Sequence, residues 1–173
     1  MKRFFLIIAM LFVMPGLAWG TAETLTSTHG SSTFPVYGSG MAGTVKVAYG
    51  TYDIAAVVEA GDIFEMCRIP AGATVIGGWF TGDDIDTGTE TLELDVGWAA
   101  NGVESLDADG FGDLGVITGD AITDLKAAAS IYYPLQKTIF TDGPKSFSAE
   151  TVIQITAVAA SHGGHTGTIS LVI

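Results

Sequence analysis

The hydrophobic pattern begins one-sidedly. Lys2 and Arg3 precede an unbroken apolar run over residues 4–14, followed by Pro15, Gly16 and small residues at Ala18 and Gly20. A basic start, a short apolar stretch and small residues before a cleavage point form a secretory signal peptide, so residues 1–20 are expected to be removed after Gly20, with Ala22 as a second option. The run falls short of the roughly 20 residues that a membrane-spanning helix needs, so no stable membrane insertion is expected after cleavage. Residues 21–43 change character, with Thr, Ser and Gly dominating through His29-Gly30, Ser31-Ser32-Thr33, Gly38, Gly40 and Gly43. Such a stretch supplies little core and reads as a flexible or extended arm.

From Val45 the period becomes two. Val45, Val47 and Tyr49 alternate with Lys46 and Ala48, which predicts a half-buried strand. Residues 63–69 are strand-like, and Pro70-Ala71-Gly72 closes them with a turn. Residues 74–80 are β-branched and aromatic, with a Gly77-Gly78 pair that predicts a bulge or a close backbone approach. Over residues 89–96, Leu92, Leu94 and Val96 share one face, while Thr91, Glu93 and Asp95 share a face that should meet water. Residues 131–136, 151–159 and 166–173 complete the strands, and Asp120 is placed to cap a short helix carrying Ile122, Leu125 and Ala129. The predicted fold is all-β: one antiparallel, jelly-roll-like β-sandwich over residues 44–173, behind a leader (1–20) and an extended N-terminal arm (21–43). Its expected core comprises Leu92, Leu94, Val96, Ile153, Ile155, Ile169 and Leu171.

Composition narrows the function classes. The 173 residues are 48% hydrophobic, enough for one sizeable domain and too apolar for a wholly disordered chain. Seven Lys+Arg stand against 19 Asp+Glu, a formal charge of -12 that becomes -14 once Lys2 and Arg3 leave with the leader. That excess argues against an unaided nucleic-acid binder, whose affinity comes from clustered cations. The single Cys67 excludes an intramolecular disulfide scaffold and a Cys-rich metal site. Set among Phe64, Met66 and Ile69, it reads as a buried, inert thiol, with an intermolecular disulfide as the alternative.

Candidate chemistry is sparse. Asp107, Asp109 and Asp113 surround Gly110, and alternate carboxylates on a glycine-assisted bend are what calcium takes. Against a full helix–loop–helix calcium site, Ser105 and Val116 occupy the first and last ligand positions, so a solvated turn is the plainer reading and calcium a secondary one. Asp83, Asp84 and Asp86 form a second acidic turn. His162 and His165 flank Gly163-Gly164 and need a further ligand, such as His29, to complete a transition-metal site. No Gly-x-Ser-x-Gly elbow, phosphate loop or dinucleotide fingerprint occurs, and no carboxylate spacing selects a glycosidase pair, so no enzyme is expected. Trp79, Phe80, Trp98, Tyr132 and Tyr133 offer either a carbohydrate platform or core and subunit-contact surface, the second being favoured.

The segments Gly61-Asp62-Ile63-Phe64-Glu65-Met66-Cys67-Arg68-Ile69-Pro70-Ala71-Gly72-Ala73-Thr74-Val75-Ile76-Gly77-Gly78, Thr91-Leu92-Glu93-Leu94-Asp95-Val96-Gly97-Trp98 and Asp107-Ala108-Asp109-Gly110-Phe111 resemble recurrent segments of small structural proteins of tailed bacteriophages. The resemblance covers about residues 44–173 and implies a virion-associated or capsid-decorating β-domain without chemistry of its own. The function expected is a structural subunit that self-assembles into, or decorates, an extracellular or virion-like particle, lattice or filament. Its partners would be further copies of itself or a capsid or surface lattice, and its place secreted or virion-associated. Phe34, Val36 and Tyr37 of the arm are interface candidates by strand addition to a neighbour's edge, alongside Trp79, Trp98, Tyr132 and Tyr133. The alternative is a secreted monomeric carbohydrate- or surface-binding module.

Overall fold

The computed structural model describes residues 22–28, 30–33, 45–83, 85–86, 89, 91–117, 130–135, 143–162 and 166–173. Alternation of apolar and polar residues dominates these stretches, and they form strands: β1 (Thr24–Thr26), β2 (Tyr49–Ile54), β3 (Ile63–Ile69), β4 (Thr74–Val75), β5 (Trp79–Asp83), β6 (Glu93–Trp98), β7 (Asp107–Val116), β8 (Ser130–Pro134), β9 (Lys145–Ser146), β10 (Thr151–Ala159) and β11 (Gly167–Val172). One sheet runs β1-β3-β10-β6-β7, a second runs β2-β11-β5-β8, and β4 and β9 make a small ribbon. β1 pairs with β3 in parallel; the other ladders are antiparallel.

The two larger sheets share one core. Phe64, Met66, Leu94, Val96, Ile153 and Ile155 from the first pack in the same cluster as Phe80, Ile169 and Leu171 from the second. The architecture is therefore all-β and sandwich-like. Every core residue expected from the alternation is fully buried, and each such side chain contributes about 1.5–3 kcal/mol of apolar transfer. β3 and β10 take the bounds that their residue pattern predicts.

Several boundaries differ for identifiable reasons. The strand expected at 45–49 begins only at Tyr49, and Val45 and Val47 are 76% and 55% exposed. Gly50 and Ile54 carry the buried face of β2, so the valines two and four residues before Tyr49 fall on its outer side. The run at 74–80 splits into β4 and β5, and Gly78 brings its backbone against the Val172 carbonyl, where a Cβ would lie 2.3 Å away. Residues 107–113, expected as an acidic turn, lie instead in the edge strand Asp107–Val116. The start of the arm does not project: β1 lies against the same chain's β3, with Leu25 opposite Phe64. The helix expected after Asp120 lies outside the described residues.

Candidate interaction surface

Placing the candidate residues on this frame separates them sharply. The outer face of the four-stranded sheet carries cross-strand rows set by register. Tyr49, Val172, Trp79 and Pro134 form an apolar row across β2, β11, β5 and β8. Beside it, Thr51 and Ser170 share a hydrogen bond of 3.3 Å. Beyond them Thr168 donates its hydroxyl to Asp53 (2.9 Å) and its N–H to Asp83 (2.8 Å). Trp79, 40% exposed, is thus the indole of an apolar row that lies beside polar ones. Tyr132 and Tyr133 lie on β8, opposite Thr81 and Phe80. Phe34, Val36 and Tyr37 lie outside the described residues.

Trp98 belongs to the core, not to this surface. Its ring meets Phe111 and Phe147 edge-on at 5.1 and 5.4 Å, and its Nε1–H donates to the Ser105 carbonyl at 3.1 Å. Lys145 places its ammonium 4.6 Å from the same ring centroid. A platform built from Trp79 and Trp98 together does not form, because one ring is outside and the other inside.

The acidic candidates also part company. Asp107, Asp109 and Asp113 share β7, where Asp113 pairs with Asp95 and Asp107 with Trp98. Burial first, then the charges of Asp113, Asp109 and Glu93, push the Asp95 carboxyl up to about 6. Among the described residues no group of three or more His, Cys, Asp and Glu side chains is arranged to hold a metal. Asp86 is a buried staple. It accepts the N–H groups of Thr91 (2.6 Å), Leu92 (2.7 Å) and His162 (2.6 Å), so the β5–β6 and β10–β11 connections are tied together. Burial raises its pKa, but those three donors outweigh it and the net direction is down. Asp84, His29 and His165 lie outside the described residues. Cys67 is buried, and desolvation pushes its thiol up to about 12, so it is not a nucleophile near neutral pH.

The residue pattern passed over Ala55-Ala56-Val57-Val58, an apolar run too short and turn-like for a strand. The structure exposes Val57 and buries Val58 there. An apolar residue stranded between two strand patterns was the one signal available.

No protein-family model matches the chain, and no curated protein matches it in sequence. Solved structures resemble it in fold. A chain of the capsid of Ralstonia phage GP4 is similar over 86% of this chain and 94% of its own length, with 20% identity and a TM-score of 0.58. A chain of the capsid asymmetric unit of cyanophage Pam1 is similar over 82% of this chain and 92% of its own, with 21% identity and a TM-score of 0.54. At such identities the shared property is the fold.

Proposed function

We propose that this chain is a non-enzymatic structural subunit of a virion-like particle, one that self-assembles or sits on a capsid lattice as a decoration. The observation that carries the reading is the fold likeness to two capsid chains, which runs over more than nine-tenths of each of them. The likeness also runs over 82% and 86% of this chain. The described surface supports an assembling part better than a monomeric lectin-like module, since Trp98 is sealed in the core and leaves Trp79 without that partner ring. The arm supplies Phe34, Val36 and Tyr37 for contact with a neighbour, and residues 1–20 are assigned to a leader removed on export.

With a charge of -14 after removal of Lys2 and Arg3, close packing of copies needs screening. Asp107, Asp109 and Asp113 on β7 are where calcium would supply it, between chains. Electron microscopy and intact-mass measurement of material from the native source test the whole reading, with calcium and after chelation. The expected outcome is ordered particles containing a chain that starts near Thr21, with fewer or less ordered particles after chelation. Monomers alone, at high concentration and with calcium present, would remove the structural role. A chain beginning at Met1 within ordered particles would remove only the leader.

A further inference from the structure

The two large sheets differ in extent. On one side β1 forms the edge of the five-stranded sheet, whereas β2 forms the edge of the four-stranded one. β2 runs tight against β3: at Gly50 a Cβ would lie 2.0 Å from the Met66 carbonyl oxygen, so only glycine permits this approach. Beside that contact opens a groove of about 470 Å³, walled by Leu25 of β1, Phe64 of β3, Tyr52 and Ile54 of β2, and Val57 of the following loop. Glu23 and Glu59 line it as well.

The groove is held open in advance. The buried Asp62 accepts the N–H of Glu23 with one oxygen (2.8 Å) and the N–H of Glu59 with the other (2.9 Å), fixing both walls with one carboxylate. Val58 and Ser161 add a second tie, in which the Ser161 N–H donates to the Val58 carbonyl at 3.0 Å. The β2 backbone supplies a template. Ala48 and Ile173 exchange both of their backbone hydrogen bonds at 2.8 Å, which sets the phase of the β2–β11 ladder. Gly50, Tyr52 and Ile54 therefore turn their peptide groups toward β11, and Thr51 and Asp53 turn theirs the other way. Among the described residues no strand pairs with β2 on that side.

We propose that an extended segment of a partner protein, apolar at alternate positions and flanked by Lys or Arg, docks in this groove as an added strand along β2. Main-chain bonds to β2 give the register, and alternate apolar side chains lie against Leu25 and Tyr52, over the buried Phe64. Charge selects the occupant. A second copy of this chain, net -14 after removal of Lys2 and Arg3, is repelled from a rim holding Glu23 and Glu59, whereas a basic segment is attracted. The inference rests on the decorating role proposed above for the partner's place in a particle.

The test uses the full chain and two dye-labelled peptides of alternating valine and threonine, one lysine-flanked and one glutamate-flanked, followed by fluorescence anisotropy. The lysine-flanked peptide is expected to bind about tenfold or more tightly than its counterpart. Glu23→Lys with Glu59→Lys should reverse that order, while Val103→Lys in the exposed loop between β6 and β7 should leave it unchanged; circular dichroism confirms that each variant is folded. Equal affinities, no binding of either peptide, or an unchanged order in the double variant each overturn the proposal. Binding that appears only when Phe34, Val36 and Tyr37 are all replaced by Ala assigns the groove to this chain's own arm and overturns a foreign occupant. Particle recovery separates the two readings. Loss of the double variant from particles that retain the wild-type chain supports the groove; equal retention overturns it and leaves the capsid-associated role standing. Absence of the wild-type chain from particles overturns that role, while the peptide titration still decides the groove.

Discussion

Asp95 projects from β6 directly across from Asp113 on β7, with Asp109 and Glu93 adding to the same field. Burial first, and then these like charges opposed across the ladder, raise the carboxyl from 3.8 to about 6. Between those two values the folded chain holds more proton at Asp95 than the unfolded chain does. This contribution is therefore fully present below 3.8 and is lost as pH rises through about 6. Asp95→Asn should raise the denaturation midpoint at neutral pH and flatten its dependence on pH across that window. Midpoints measured at a series of pH values check this, and a variant that keeps the wild-type slope would assign the slope to other groups. Asp86 works in the opposite sense: its lowered pKa gives stability that disappears as pH falls through it.

At the scale of elements, β7 is the informative strand. Its three Asp and three Gly residues look like turn material, yet Gly110 is there for proximity, while Gly115 takes a φ of +65° with open space around it. A Cβ on Gly110 would lie 2.1 Å from a ring carbon of Trp98, and Phe111 and Phe147 hold that ring from two sides. The indole has nowhere to retreat. Gly110→Ala should cost at least the ~1–3 kcal/mol usual for overpacking and should weaken the near-ultraviolet dichroism of Trp98. Wild-type stability in that variant would show that β7 does not lie against the indole. The exposed carboxylates of Asp109 and Asp113 on this edge strand also discourage unplanned pairing of sheets.

For the whole molecule, the decisive fact is that one strand, β10, lies between β3 and β6 and faces the other sheet. Its residues should divide by face. Ile155→Ala removes a fully buried side chain and should cost about 2–5 kcal/mol, whereas Val158→Ala, exposed on the same strand, should fall within about 0.5 kcal/mol of wild type. Denaturant titration of both variants reads the contrast. Equal costs would mean that the two faces of β10 are not differently buried. The groove between β1 and β2 belongs to this scale as well, because it exists only where sheets of unequal extent meet.

The apolar pattern within a segment is a local property; it marked the strands over residues 63–69 and 93–96, but not over residues 45–48. Ile63–Ile69 and Thr151–Ala159 are read directly, as are the buried faces through Leu94, Val96, Ile169 and Leu171. What alternation leaves open is which of two faces turns inward and which strand lies alongside. Val45 and Val47 show the first, since both fall on the outer side once Gly50 and Ile54 turn inward. Asp107–Val116 shows the second, being a strand because β6 pairs with it and Trp98 fills the space that Gly110 leaves. Trp98 itself looked as available for contact as Trp79 until Phe147, distant in the chain, closed over it. Local pattern thus set the strands and the core; burial of particular aromatics, pairing of acidic segments and the groove came from tertiary structure, because each depends on groups brought together from far apart in the chain.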